Sequence, residues 1–179
     1  MRDEISLELL PFGLVPSVQA LPKVTVSLKA LAASLELTFH NFDPEEQIDW
    51  PSPKEEASRR DGLWKGTCFE FFQSTLKGAA YREWNFCPNG DWQAYDFSSY
   101  RHPSPPVPSS NLSPPHIHKR DCSLCVKLKN ISRQEMKLFN LTAMIKLKTG
   151  ELLAYAPKHL ALKPDFHDKQ TFISWDEQH

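Results

Sequence analysis

Residues 61–73 read DGLWKGTCFEFFQ, and the part from Thr67 to Gln73 has the length and aromatic content of a β-strand entered from a glycine. Successive strand side chains point to opposite faces, so Phe69, Phe71 and Gln73 share one side while Cys68, Glu70 and Phe72 share the other. The first side can enter a core. The second carries a carboxylate, Glu70, between a cysteine and a phenylalanine, where an ionised group is costly unless paired or hydrogen-bonded. Glu70 therefore needs a partner, in the protein or in a ligand.

The same period recurs on both sides. LELTF (35–39) sets Leu35, Leu37 and Phe39 against Glu36 and Thr38, and ISLEL near the start and VTVSL (24–28) repeat it. TCFEFFQ, YREWNFC, DWQAYDF, SLCVKLK, LFNLTAMIKL and ELLAYA are further short strands bounded by Gly, Pro, Asn or Asp. PNGD (88–91) reads as a tight turn with positive φ at both central residues, and KTGE (148–151) as a second hairpin. No segment of comparable length carries a capped helical stripe. Residues 41–61 and 102–118 are polar and Pro-containing, the second also Ser-rich, and read as long loops outside the sheet. The expected fold is all-β, an antiparallel β-sandwich of jelly-roll or immunoglobulin-like type with long Pro-rich loops, in one domain over residues 1–179.

Charge narrows the partners. The 21 basic residues balance 22 acidic ones to a formal −1, which argues against nucleic acid or an acidic membrane surface as partner. MRDEISLELLPFG lacks the features of a secretory leader, no later stretch is apolar enough for a spanning helix, and cytoplasm is the expected compartment. The four cysteines, at positions 68, 87, 122 and 125, are then expected as thiols. Cys122 and Cys125 form CSLC, half of a zinc or redox signature; a strand through this stretch points them to opposite faces, and no metal site is expected.

RRDGLWKGTCFEFF, YREWNFCPNGDWQAYDFSSYR, LTAMI, ELLAYA and KPDFHDKQTFI, in that order, resemble the motifs of bacterial DOMON-like domains related to type 9 carbohydrate-binding modules, over Arg60 to Ile173. Cys87 stands where the family often has serine. The resemblance implies a jelly-roll-like sandwich that binds without catalysis, with a sugar or a haem as ligand in related groups. Carried over residue by residue, it implies that Trp64 is an aromatic platform and Glu70 a hydrogen-bonding acid. Trp92, Trp175 and Phe166 compete for the second aromatic wall.

The residues themselves fit that chemistry. A pyranose offers C–H patches to an indole face and hydroxyls to carboxylates and amides. In YREWNFC, Tyr81, Glu83, Asn85 and Cys87 share a face, so Glu83 and Asn85 meet Glu70 if this strand pairs with TCFEFFQ. Arg82, Arg101, Tyr95 or a backbone amide are the internal alternatives for Glu70. Trp92 and Tyr95 either close the sandwich or edge the site. His167, in PDFH, either bonds a ligand or locks its loop with Asp165, the latter being the simpler reading. The expected ligand-binding set is Trp64, Glu70, Glu83, Asn85, Trp92 and His167, with no catalytic residue assigned. The expected ligand is a small carbohydrate or related polar metabolite. The alternatives are a haem, with axial ligands drawn from Met136, Met144, His159 and His167, or a protein-interaction domain without a small ligand.

Overall fold

A computed structural model describes residues 3–13, 20–74, 78–133 and 136–177. Within them the chain forms twelve strands: β1 (Glu4–Pro11), β2 (Lys23–Leu31), β3 (Ser34–Phe42), β4 (Cys68–Ser74), β5 (Tyr81–Phe86), β6 (Trp92–Phe97), β7 (Val107–Pro108), β8 (His116–Arg120), β9 (Ser123–Lys129), β10 (Leu138–Lys146), β11 (Leu152–Ala156) and β12 (Ile173–Ser174). They run in the order β7-β6-β5-β4-β10-β11-β1-β2-β3-β9-β8, with β12 beside β10, and every strand pair is antiparallel. The fold is the expected all-β sandwich. Strand β1 turns its corner: Glu4 to Leu9 pair with β2, whereas Leu10 and Pro11 pair with β11.

Alternation explains the core. Val24, Val26 and Leu28 of β2, Leu35, Leu37 and Phe39 of β3, and Leu124, Val126 and Leu128 of β9 are buried, and they meet Phe69, Phe71, Trp84, Phe86 and Leu141 of the facing layer in one cluster. The rings of Phe39 and Phe69 lie 4.9 Å apart across it. Burial of this kind contributes roughly 25 cal/mol per Å² of apolar surface.

The layers differ on their outer faces. Strand β2 alternates buried with exposed or half-buried residues, as a strand with one solvated face should. Strands β4, β5 and β6 are buried almost continuously, so a second cover lies over their outer face. The loops carrying Trp64, Arg101 and Phe166 supply it.

Two expectations need correction. Gly90 has φ +98° and Gly150 φ +105°, but neither Asn89 nor Thr149 has positive φ. In both hairpins the glycine N–H donates three residues back, to Cys87 and Leu147, while Cys87 N–H and Leu147 N–H donate to Asp91 and Glu151. These are three-residue loops with glycine at the left-handed position, which fit strand twist with a single positive φ. The segment 102–118 also enters the sheet twice: Val107 and Pro108 pair with β6, and His116 and His118 lie in β8. Pro108 is tolerated because β7 is an edge strand that needs no further donor.

Candidate functional site

The outer face of β4, β5, β6 and β10 forms the floor of a cavity of about 370 Å³. Register assembles it. Glu70 stands opposite Asn85 and Phe72 opposite Glu83, so the two acids are diagonal neighbours on adjacent strands. Thr142 of β10 stands opposite Glu70 on the other side. The Thr142 hydroxyl donates to Glu70 Oε2 at 2.7 Å, and Asn85 Nδ2 donates to Glu83 Oε1 at 2.6 Å. The Cys68 thiol donates to Asn85 Oδ1 at 3.4 Å, which fixes the amide's orientation.

Glu70 is 3% and Glu83 6% exposed. Burial, then the charge of Glu83, raises Glu70 above the ordinary carboxylate range, against the Thr142 bond and the more distant Arg101. Burial likewise raises Glu83, against the Asn85 bond and Arg101. Both acids are therefore harder to ionise than free glutamates, and neither forms an ion pair with a lysine or arginine among the described residues.

One wall comes from PDFH. Asp165 Oδ1 accepts from the N–H of His167 at 3.2 Å and from Arg101 Nη2 at 3.0 Å, while Oδ2 accepts from the Tyr100 hydroxyl at 2.6 Å. Asn140 Nδ2 donates to the carbonyl of Phe166 at 3.4 Å and to Thr171 Oγ1 at 3.1 Å. The loop is thereby tied both to β10 and to the 98–102 turn.

His167 locks this loop and also lines the cavity. Its ring is packed edge-on by Phe72 and Phe97, with centroids 5.3 and 5.1 Å away. The Tyr81 hydroxyl accepts from Arg101 N–H at 3.1 Å and is hydrogen-bonded to His167 Nδ1 at 2.8 Å. His167 Nε2 faces Glu83 Oε2 at 3.6 Å. Burial, with the positive charge of Arg101, lowers His167 to about 4 against the pull of Asp165, so the imidazole is neutral near pH 7. Burial pushes the Tyr81 phenol up to about 12, which keeps its proton in place.

Trp64 forms the opposite wall from a short 3-10 turn, Leu63–Lys65, entered through Gly62 at φ +75°. It is half-buried and meets Tyr95 edge-on at 5.9 Å. Asp61 anchors the turn, accepting from the Tyr95 hydroxyl at 2.8 Å and Gln93 Nε2 at 3.0 Å. Pro103, Ser104 and Pro106 close the rim.

Of the residues expected from sequence, Trp64, Glu70, Glu83 and His167 line the cavity, and Asn85 lies behind Glu83. Trp92 does not join them. It pairs with Phe86, faces the core between the layers at 4% exposure and carries the Arg59 guanidinium 4.7 Å above its ring. Trp175 is likewise buried in that core, so Phe166 is the candidate second wall that reaches the cavity. Glu70 is met by Thr142 and not by an arginine. Thr142, Phe97 and the Tyr81–His167 bond were not anticipated, and Met144 was considered only as a haem ligand; the near-continuous apolar character of their strands is the signal for them.

The CSLC pair divides differently from the strand reading. Cys122 is exposed in the turn before β9, and Cys125 is half-buried within it. Of the haem-ligand candidates, Met144 and His167 line the cavity, Met136 is buried in the core, and His159 packs on Phe12 and bonds the carbonyl of Leu10. Met144 and His167 thus share the cavity with Glu70 and Glu83.

No protein-family model matches the sequence, and no curated protein matches it significantly. Among solved structures, the chain is similar in fold to a "putative carbohydrate-binding protein" from Bacteroides uniformis, with a TM-score of 0.57 and 13% identity over 93% of this chain and 84% of that one.

Proposed function

We propose that this chain is a single non-catalytic binding module whose cavity holds a small carbohydrate or related polar metabolite. One observation carries the reading: two aromatic faces, Trp64 and Phe166, and two buried acids, Glu70 and Glu83, line the same cavity. Rings accept the C–H face of a sugar, while the carboxyl groups hydrogen-bond its hydroxyls. The resemblance of the Arg60 to Ile173 motifs to DOMON-like modules supports the proposal, as does what the Bacteroides protein is said to bind. Binding is preferred over glycoside hydrolysis because Glu70 and Glu83 stand side by side on one floor, whereas hydrolysis needs carboxyls flanking the bond.

The test is a calorimetric screen of mono- and disaccharides, repeated on Trp64→Ala, with an absorption spectrum of the fresh protein. Saccharide binding weakened by the substitution is expected. Binding of no saccharide, or a Soret band from bound haem, overturns the reading.

A further inference from the structure

We propose that the cavity selects a ligand bearing a protonated amine among its hydroxyls, with an amino sugar as the form that suits both halves of the site. The inference rests on the carbohydrate reading and names its ligand class. Glu70 Oε1 has no hydrogen bond or ion pair among the described residues, although Glu70 is 97% buried by its 3% exposure and lines the cavity. Glu83 Oε2 faces only the ring of His167, at 3.6 Å, and that ring is neutral.

The surrounding charges compensate these acids only in part: Arg101, which lines the cavity, lowers both, yet burial still holds them raised. Arg101 at the rim is committed to Asp165 at 3.0 Å and lies over the Tyr100 ring. Lys169, behind Tyr81, donates to Ser74 Oγ and to the carbonyls of Gly78 and Ala80. Tyr81, Tyr95 and Cys68 stay protonated because burial raises each of them. Asp61 adds a further carboxylate beneath Tyr95. An uncharged hydroxyl can fill the hydrogen bonds but does nothing to stabilise the acids' ionised form. An ammonium brings donors and a positive charge together, and the Trp64, Phe97 and Phe166 rings around it suit a cation.

Both acids are raised by burial, and Glu70 further by the charge of Glu83, so an ammonium that binds them displaces a proton. Its affinity falls as pH falls, whereas that of a neutral sugar stays level.

Calorimetry of the intact protein at about pH 7, with glucosamine, glucose, N-acetylglucosamine and ethanolamine, separates the readings. Glucosamine is expected to bind on the order of tenfold to a hundredfold more tightly than either neutral sugar, to release a proton on binding and to weaken at about pH 5. Glu83→Gln should erase the preference, while the comparison of ligands on the unaltered protein stands even if that variant folds poorly. Equal affinity for glucosamine and glucose refutes the amine selectivity and leaves the carbohydrate reading standing. Ethanolamine binding without any sugar upholds the amine selectivity and overturns the carbohydrate reading. Failure of all four overturns both.

Discussion

Glu70→Gln keeps the side chain's shape and removes its charge. The Thr142 hydroxyl can still donate to the amide oxygen, and no lysine or arginine paired with Glu70 is left stranded among the described residues. Because burial and Glu83 raise Glu70, the folded protein keeps this proton above pH ~4.3, where an unfolded glutamate gives it up. The folded state then binds more protons than the unfolded one, so the contribution of Glu70 is full below that value and is lost as pH rises through the folded one. Each unit of elevation costs about 1.4 kcal/mol once the acid is ionised. Glu70→Gln should therefore match the wild type at about pH 4 and exceed its stability by at least ~1.4 kcal/mol at about pH 9. His167, lowered to about 4, acts oppositely between about pH 4 and 6.5, but it does so in both proteins and cancels in the difference. Urea midpoints across this range supply the measurement, and ligand affinity should fall roughly tenfold to a hundredfold in the same variant. A variant destabilised by several kcal/mol at alkaline pH, with unchanged affinity, would refute this account and make Glu70 a structural acid.

Trp64→Ala should weaken ligand binding by ~0.5–1.5 kcal/mol, whereas Trp92→Ala, in the core, should cost ~3–5 kcal/mol of stability; denaturation and calorimetry on both check the division, and the reverse pattern would exchange their roles. Tyr81→Phe removes the hydroxyl bonded to His167 Nδ1, so the imidazole ¹⁵N resonances should shift, and an unchanged spectrum would contradict that bond. Replacing Cys122 and Cys125 together with Ser should leave fold and metal content unaltered, because one thiol is exposed in a turn and the other half-buried in a strand. Stoichiometric zinc lost on that substitution would show otherwise.

Period-two alternation made the faces legible before any pairing was known. It separated Phe69 and Phe71 from Glu70 and Phe72, and set Glu83 with Asn85, which is how the structure divides them between core and cavity. Partners across strands are another matter. Nothing local in LFNLTAMIKL says that it lies beside β4, yet that neighbour puts Thr142 against Glu70. The same gap misplaced Trp92: its face depends on pairing with Phe86, whose ring packs in the core. The Tyr81–His167 bond was out of reach for a related reason, since it joins β5 to a loop distant in sequence.

A layer covered on both faces by apolar side chains would be more stable than this one, because two buried acids cost free energy that hydrophobic residues of similar volume would not. The protein limits the cost by giving each acid one internal donor, Thr142 or Asn85. The remaining oxygens line a cavity instead of meeting a buried arginine. Full internal pairing would have served stability better and left nothing for a ligand to complete. Half-pairing leaves the acids open to outside donors, and the glutamate among the phenylalanines of β4 is best explained as one of two groups poised to receive them.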